Sequence, residues 1–248
     1  MKRLIFAVPL VLLFACGSSD ESTENPKVET SESNDDTTST VVAEAPPFDP
    51  NSIEENVYFE NTPFNGEQIQ SIGWTDNRGQ NVIILSIEYE EIDQYMSAYI
   101  YANHYADETG EMKLVRQVTD YVRDCEFDII LEFLEDPIIT DIDGNDRAEV
   151  TLVYKMACKS DMSEDDLKVI MYEDDQKWGL RGYNWLVYGE ETVPEEFDPN
   201  MENTTKEEQN DWMFERGKYK NDDDFKNAPE GFLEHAQKVW LDNCFEVY

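Results

Sequence analysis

The chain has 248 residues, of which 56 are acidic and 19 are basic, so its formal net charge is −37. Such a charge repels nucleic acid and anionic lipid head groups, which argues against a nucleic-acid or polyphosphate partner and favours cations. Aromatic residues make up 12 % of the chain and Val and Ile are frequent, which indicates a β-rich core.

The first fifteen residues have the pattern of a secretion signal. Residues 1–3 are basic, and residues 4–14 form an apolar run that is too short to span a membrane. The run ends in Leu13-Phe14-Ala15-Cys16-Gly17, which resembles the lipobox of bacterial lipoproteins. The resemblance implies a signal peptide over residues 1–15, lipidation of Cys16 and attachment to a membrane through that lipid. An ordinary secretion signal with a chance cysteine is the alternative.

Residues 16–47 are acidic and hydroxyl-rich and contain almost no large apolar residues. Such a segment cannot bury enough apolar surface to offset its ordering entropy, so we predict a disordered acidic tether. Its start, Gly17-Ser18-Ser19-Asp20-Glu21-Ser22, resembles the signal that directs Bacteroidetes lipoproteins to the outer face of the outer membrane. The resemblance implies an outer-membrane protein exposed at the cell surface, and a plain solvated linker is the alternative.

Residues 48–192 are predicted to form an antiparallel β domain, in a mainly β (α+β) fold with C-terminal helices packed on the sheet. Prolines and a glycine make residues 48–66 look irregular. Alternating apolar residues between turn signals then predict about eight strands. These are residues 69–74, 81–89, 97–105, 114–118, 127–133, 150–156, 167–172 and 177–188.

The strands over residues 127–133 and 150–156 form a predicted hairpin-like central pair. Their alternating apolar side chains are the predicted core: Phe127, Ile129, Leu131, Phe133, Val150, Leu152, Tyr154 and Met156. Burial of each is worth roughly 1.5–3 kcal/mol. Cys125 and Cys158 lie at the outer ends of the pair, and we expect them to form a disulfide because a secreted chain meets an oxidising compartment. Cys244 is left over.

The connection between these two strands, residues 141–149, is called the acidic loop. Calcium takes six to eight oxygen ligands, which a tight loop supplies at alternating positions. Positions one, three, five, seven and nine are Asp141, Asp143, Asn145, Arg147 (through its carbonyl) and Glu149. The spacing resembles the FG-GAP loops of β-propellers, although Asp146 replaces the usual glycine. We therefore predict one structural Ca²⁺, with an acidic turn that binds no metal as the alternative.

From residue 193 to residue 248 the spacing of apolar residues becomes helical. Residues 206–218 and 229–242 are the predicted helices. In the second, one stripe carries Phe232, Leu233, Ala236, Val239 and Trp240. We expect this stripe to pack on the sheet.

No catalytic residues are assigned. The chain has two histidines, His104 and His235, and lacks the HExxH, GxSxG and glycine-rich phosphate motifs. Two other functions stay open. A carbohydrate- or protein-binding module would use exposed tyrosines such as Tyr99, Tyr101 and Tyr105. A surface glycan hydrolase would need two convergent carboxylates or a relay through His104.

Several segments together resemble a Bacteroidetes lipoprotein family of surface polysaccharide biosynthesis proteins. They are Trp74-Thr75-Asp76, Tyr99-Ile100-Tyr101-Ala102-Asn103-His104-Tyr105, Asp124-Cys125-Glu126-Phe127-Asp128, Thr140-Asp141-Ile142-Asp143, Leu152-Val153-Tyr154-Lys155-Met156-Ala157-Cys158 and Leu167-Lys168-Val169-Ile170-Met171-Tyr172. The resemblance covers under half of the chain. It implies a role in making or displaying surface polysaccharide, with no catalytic residues to carry over. Our hypothesis is a non-catalytic accessory factor, with that polysaccharide or a cell-envelope protein as partner.

Overall fold

The computed structural model describes residues 45–107, 109–211 and 213–247. It is mainly β, with 51 % strand in antiparallel sheets and one C-terminal α-helix packed after them, so the predicted fold class is confirmed. The predicted signal peptide, Cys16 and nearly all of the tether lie outside the described residues. No helix in the described part is long and apolar enough to cross a membrane.

The described residues contain twelve strands, one α-helix and three short 3₁₀ helices. The strands are β1 (Asp49–Glu55), β2 (Glu67–Asp76), β3 (Gly79–Ile92), β4 (Tyr95–Asp107), β5 (Met112–Cys125), β6 (Asp128–Phe133), β7 (Ile138–Thr140), β8 (Glu149–Lys159), β9 (Asp166–Glu173), β10 (Gln176–Tyr183), β11 (Trp185–Val187) and β12 (Phe245–Val247). The α-helix is α1 (Phe232–Asn243), and the 3₁₀ helices are Met201–Asn203, Glu208–Asn210 and Asp223–Phe225.

Two antiparallel sheets form the body of the fold. Sheet 1 is the meander β1-β2-β3-β4-β5, and sheet 2 has the order β10-β9-β8-β6, with β7 also paired to β8. The central pair is therefore not a simple hairpin, because β6 and β7 bind successive stretches of the same edge of β8. A further small sheet pairs β11 with β12 in parallel.

The main core lies between the two sheets. Its buried residues come from β2, β3 and β4 on one side and from β6, β7, β8 and β9 on the other. Seven of the eight predicted core residues belong to this cluster, buried or packed against it. The exception is Phe127, whose side chain is 55 % exposed, because it lies in the turn before β6 rather than in the strand.

The predicted disulfide between Cys125 and Cys158 is confirmed. Cys125 is the last residue of β5, however, and not the start of the central pair as the sequence predicted. Cys158 lies in β8, so the bond joins sheet 1 to sheet 2 across the sandwich. Cys244 is buried and free.

The outer face of sheet 2 is covered by the C-terminal part of the chain. Four residues of α1, namely Phe232, Ala236, Val239 and Trp240, are buried in a second core with the outward side chains of β9 and β10. The predicted apolar stripe is thus confirmed. Burial of such large side chains is worth roughly 1.5–3 kcal/mol each, which explains why this segment packs as a third layer.

Three sequence predictions about regular structure were wrong. The strand predicted over residues 177–188 is divided at Asn184 into β10 and β11, which belong to different sheets. The described part of residues 206–218 forms the 3₁₀ helix Glu208–Asn210 and turns, because Asn210 and Asp211 favour turns and Gly217 has a φ of 72°. Residues 48–66, predicted as irregular, contain β1. This strand exposes nearly all its side chains, so its sequence shows no apolar alternation, and Pro50 is tolerated because β1 is an edge strand.

Candidate functional site

The acidic loop follows β7 and ends at the first residue of β8. Asp141, Asp143 and Glu149 each offer a carboxylate oxygen, and these three oxygens lie within 4.8 Å of one another. Asp141 is partly buried, Asp143 is exposed and Glu149 is fully buried. The structure therefore brings together three of the five predicted ligand residues.

The loop is shaped by hydrogen bonds from its own backbone to its own carboxylates. Asp141 accepts hydrogen bonds from the amides of Asn145 at 3.0 Å and of Asp146 at 3.1 Å. Asp143 accepts one from the Asn145 amide at 3.2 Å. Asp146 has a φ of 63°, a left-handed conformation that aspartate tolerates better than most residues. The usual glycine is therefore not required at this position.

Glu149 is the most constrained acid of the loop. Its carboxylate accepts hydrogen bonds from the Thr140 hydroxyl at 2.9 Å and from the Ile142 amide at 3.0 Å. Burial raises the pKa of Glu149 to about 7, the charge of Asp143 adds to the rise, and the two hydrogen bonds oppose it. A cation at this place would lower the pKa of Glu149, because its charge would stabilise the ionised carboxylate.

Asn145 and Arg147 are the two remaining predicted ligands, Arg147 through its carbonyl oxygen, and their side chains contact the loop and the neighbouring turns. The Asn145 side-chain amide donates to Asp143 at 3.2 Å and to Glu173 at 2.8 Å. Its oxygen accepts from the Arg147 amide at 2.8 Å. The Arg147 guanidinium leaves the loop, donating to Asn77 at 3.0 Å and pairing with Asp174 at 2.5 Å.

The turn between β2 and β3 anchors the acidic loop from sheet 1. Asp76 is fully buried and accepts a hydrogen bond from the Ala148 amide at 3.1 Å. The Asn77 amide donates to the Asp146 carbonyl at 2.9 Å, and its side chain donates to the Asn145 carbonyl at 3.2 Å. These contacts fix the loop against sheet 1.

A buried polar chain continues from this turn into the core. Asn81 donates its side-chain N–H to Asp76 at 2.9 Å, so its oxygen accepts a hydrogen bond from Nε2 of His104, at 3.0 Å. His104 is 1 % exposed. Burial, together with the charges of Arg78 and Arg116, lowers the pKa of His104 to about 3, so its imidazole is neutral.

The three carboxylates fit a divalent cation with oxygen ligands. Calcium lies 2.3–2.6 Å from each oxygen, so two ligands on opposite sides are about 5 Å apart at most. The 4.8 Å limit among the three oxygens meets this requirement. The rest of a six- to eight-oxygen shell would have to come from carbonyl groups and water.

The residues of the two alternative functions lie elsewhere. Tyr101 and Tyr105 are 9 % and 5 % exposed, and only Tyr99 is half-buried, so they do not form an exposed aromatic row. His104 lies inside the core, where a substrate would not reach it. His235 on α1 forms a hydrogen bond with Thr151 at 3.0 Å.

Sequence reasoning missed the residues that surround the loop. Asp76, Asn77, Glu173 and Asp174 lie in two turns remote in sequence, and only the pairing of β2 with β3 and of β9 with β10 brings these turns to the same end. It also missed a second carboxylate group, of Glu202, Asp222 and Asp223, that meets the same distance limit. No motif marks either set.

Comparison with known proteins gives no family assignment. No protein-family model, no curated protein and no solved structure matches the chain significantly. The resemblance to surface polysaccharide biosynthesis lipoproteins therefore stays a prediction from the sequence.

Proposed function

We propose that the protein is a lipoprotein of the outer membrane, anchored through Cys16 and exposed at the cell surface. In this proposal it is a non-catalytic accessory factor in the biosynthesis or display of surface polysaccharide, and the acidic loop holds one structural calcium ion. Its partners are the membrane, through the lipid, and the polysaccharide or another envelope protein. A carbohydrate- or protein-binding module and a surface glycan hydrolase are the alternatives.

Two features support the anchor and the location. Leu13-Phe14-Ala15-Cys16-Gly17 places a small residue and a cysteine directly after an apolar run, as lipoprotein processing requires. A disulfide joins the two sheets, which agrees with an oxidising compartment. Two or more acyl chains would be needed for stable anchoring, because one chain binds a membrane only marginally.

The observation that carries the calcium proposal is the convergence of Asp141, Asp143 and Glu149 within 4.8 Å. The role is structural because the loop connects β7 to β8 and touches turns from both sheets. A bound cation would offset the mutual repulsion of the three acids, whose charge is otherwise offset by hydrogen bonds from the loop amides, the Thr140 hydroxyl and the Asn145 side chain. The chain's net charge of −37 further raises the local concentration of cations.

The calcium proposal is tested by calorimetric titration of the purified protein with CaCl₂, accompanied by thermal unfolding. We expect one site, and at a free calcium concentration about a hundred times Kd a gain of about 2.7 kcal/mol in the free energy of unfolding. Asp143→Asn keeps the shape of the side chain but removes one charge, and we expect it to weaken binding by about tenfold.

Asp161→Asn is the matched control, because Asp161 is an exposed aspartate that accepts similar local hydrogen bonds from Ser163 outside the acidic loop. Equal loss of affinity in both variants would show that calcium binds the acidic surface at large. Absence of any heat or stabilisation would reduce the loop to an acidic turn held by its own amides.

The accessory role is tested in cells that lack the gene. We expect less polysaccharide at the surface, restored by the intact chain but not by Cys16→Ser, which should stay unlabelled by radioactive palmitate. Unchanged surface polysaccharide in the deletion strain would contradict the accessory role. Palmitate incorporation into the Cys16→Ser variant would contradict the proposed anchor.

A further inference from the structure

A cleft of about 240 Å³ lies in the C-terminal part of the chain, between residues 194–198 and residues from 203–211 and 213–218. None of the acidic-loop residues lines it. Trp185 and Phe197 form its aromatic side, with ring centroids 5.7 Å apart. Phe197 is only half-buried, so part of its ring is open to a ligand.

Lys218 is the buried cation of this cleft. The residue is 9 % exposed, and its ammonium donates one hydrogen bond, to the Thr204 hydroxyl at 3.3 Å. It also lies 5.6 Å from the centre of the Phe197 ring. An ammonium has three N–H donors, and among the described residues no carboxylate pairs with this one. A buried ammonium with unused N–H donors is costly, and the carboxylate of Glu208, which lines the same cleft, acts on it only from beyond ion-pair distance, so the cleft has a place for an anionic group.

Arg216 adds a second cation beside it. Its guanidinium carbon lies 4.7 Å from the Trp185 ring centre, and it pairs with Glu191 at 3.1 Å and with Glu164 at 3.8 Å. Its Nε is buried and has no hydrogen-bond partner among the described residues. Two of the 19 basic residues of this acidic chain therefore meet in one cleft.

The exposed part of the cleft carries the opposite charge. Four exposed acids line it: Glu196, Asp198, Glu208 and Asp211. Carboxylates at a rim repel a ligand with several negative charges, such as a phosphate, but they accept hydrogen bonds from hydroxyl groups. The arrangement suits a ring with one anionic group and several hydroxyls.

We propose that this cleft binds a carboxylate-bearing sugar residue of a surface polysaccharide. The sugar carboxylate contacts Lys218, the ring packs against Phe197, and the hydroxyls donate to the acidic rim. The identification of the anion with a sugar rests on the proposed function, whereas the need for one anionic group rests on the buried lysine alone.

The test is titration of the ¹⁵N-labelled protein, followed by NMR, with a tetrasaccharide that alternates glucuronic acid and N-acetylglucosamine. The neutral N-acetylglucosamine tetrasaccharide and sodium acetate serve as comparison ligands, at about 0.15 M salt to screen the net charge. We expect binding of the acidic tetrasaccharide with a shift of the Trp185 indole signal. Lys218→Met should weaken it by about tenfold, because a charge-assisted hydrogen bond is lost.

Lys220→Met is the matched control, since Lys220 is exposed, two residues away and not in the cleft. Phe197→Leu is a second variant that removes the ring and keeps the charge, and it should also weaken binding if Lys218→Met fails to fold. The proposal is overturned if the acidic tetrasaccharide does not bind or if Lys218→Met binds it as tightly as the wild type.

Two further outcomes also overturn it. Equal binding of the neutral tetrasaccharide would remove the role of the carboxylate, and equal binding of acetate would remove the role of the sugar ring. The proposed function is tested separately, in the deletion strain. Loss of surface polysaccharide there, together with a failed titration, would leave the accessory role intact and reject only this cleft.

Discussion

The acidic loop and the C-terminal cleft gather charged side chains by different means. In the acidic loop, three carboxylates lie within nine consecutive residues, and backbone amides of the same residues hold them. The cleft takes Trp185 from a short strand and Lys218 from a stretch after turns. The loop gathers like charges that need a cation, whereas the cleft buries a cation that needs an anion.

This comparison shows that a set of ligand residues can be recognised in a sequence only when one tight loop supplies them all. The alternation of Asp141 and Asp143 places both carboxylates on one side of a turn before any strand pairs. Lys218, by contrast, is one basic residue among 19, and nothing in its neighbours marks it as buried. Its environment depends on how the C-terminal layer packs on β10.

Removal of the disulfide should have the largest effect on stability and should leave the acidic loop and the cleft able to bind. Cys125→Ala combined with Cys158→Ala opens a loop of 33 residues, so we expect the free energy of unfolding to fall by about 3–4 kcal/mol. Urea denaturation measures the change. Calcium affinity and sugar affinity should be retained under native conditions, because the bond touches neither site.

Cys244→Ala is the control for loss of a buried thiol that forms no disulfide. Equal destabilisation by this single change would show that packing of cysteine, and not the cross-link between the sheets, accounts for the loss.

Gly182→Ala should distort the cleft and leave the structure of the acidic loop unchanged. A Cβ at Gly182 would lie 1.9 Å from the Lys218 carbonyl oxygen and 2.6 Å from the Tyr219 Cα, so the backbone that carries Lys218 must move. We expect a loss of about 3 kcal/mol in the free energy of unfolding, since overpacking against backbone lies at the upper end of its usual range. Binding of the acidic tetrasaccharide should fall while calcium binding persists.

Gly144→Ala is the matched change in the acidic loop. A Cβ there meets nothing within 4 Å, and the cost comes only from a φ of 71°, about 1 kcal/mol. Tetrasaccharide binding should be unaffected. Loss of calcium binding in Gly182→Ala would contradict the independence of the two sites.

His104 should give a pH dependence of stability that is smaller than the effects of the disulfide and of Gly182→Ala. Its pKa is about 3 in the folded protein and about 6.5 when unfolded, so only the unfolded chain takes up a proton between these values. The contribution of the neutral imidazole to the free energy of unfolding is largest above pH 6.5 and decreases as the pH falls toward 3. From about pH 7 to about pH 5 we expect a loss of about 2 kcal/mol.

The measurement is urea denaturation at both pH values, for the wild type and for His104→Gln. Glu149 and His235 titrate in both proteins, so their contributions cancel in the difference between the two. The wild type should lose about 2 kcal/mol more than the variant on acidification. Equal losses would show that His104 is protonated in the folded state, contrary to its burial.

Most of the strands were predictable from the sequence, because alternation of apolar and polar residues is a local property. This alternation is present in strands β2 to β4, β6, β8 and β9, and the apolar stripe of α1 has helical spacing. β1 was not predictable, since nearly all its side chains are exposed and it is held mainly by main-chain pairing with β2. Residues 206–218 were misread because their polar residues prefer turns.

The candidate site was predictable in part for the same reason. Asp141, Asp143 and Glu149 follow a ligand spacing that needs no partner strand, so the sequence indicated them together. The Arg147 side chain, which was not a predicted ligand, pairs with Asp174 of the β9–β10 turn, and Asp76 reaches the loop only because the two sheets pack together. Those contacts join residues 27 and 72 positions apart.

The sequence by itself determined the β-rich class, the disulfide pair and the acidic spacing of the loop, because each is encoded in short-range pattern or in residue chemistry. Only the tertiary structure decided that the disulfide joins two sheets, that His104 is a neutral core residue and that Lys218 is buried beside Phe197. Burial and counter-charge depend on which surfaces pack together, and this packing is a sum over contacts between residues distant in the chain.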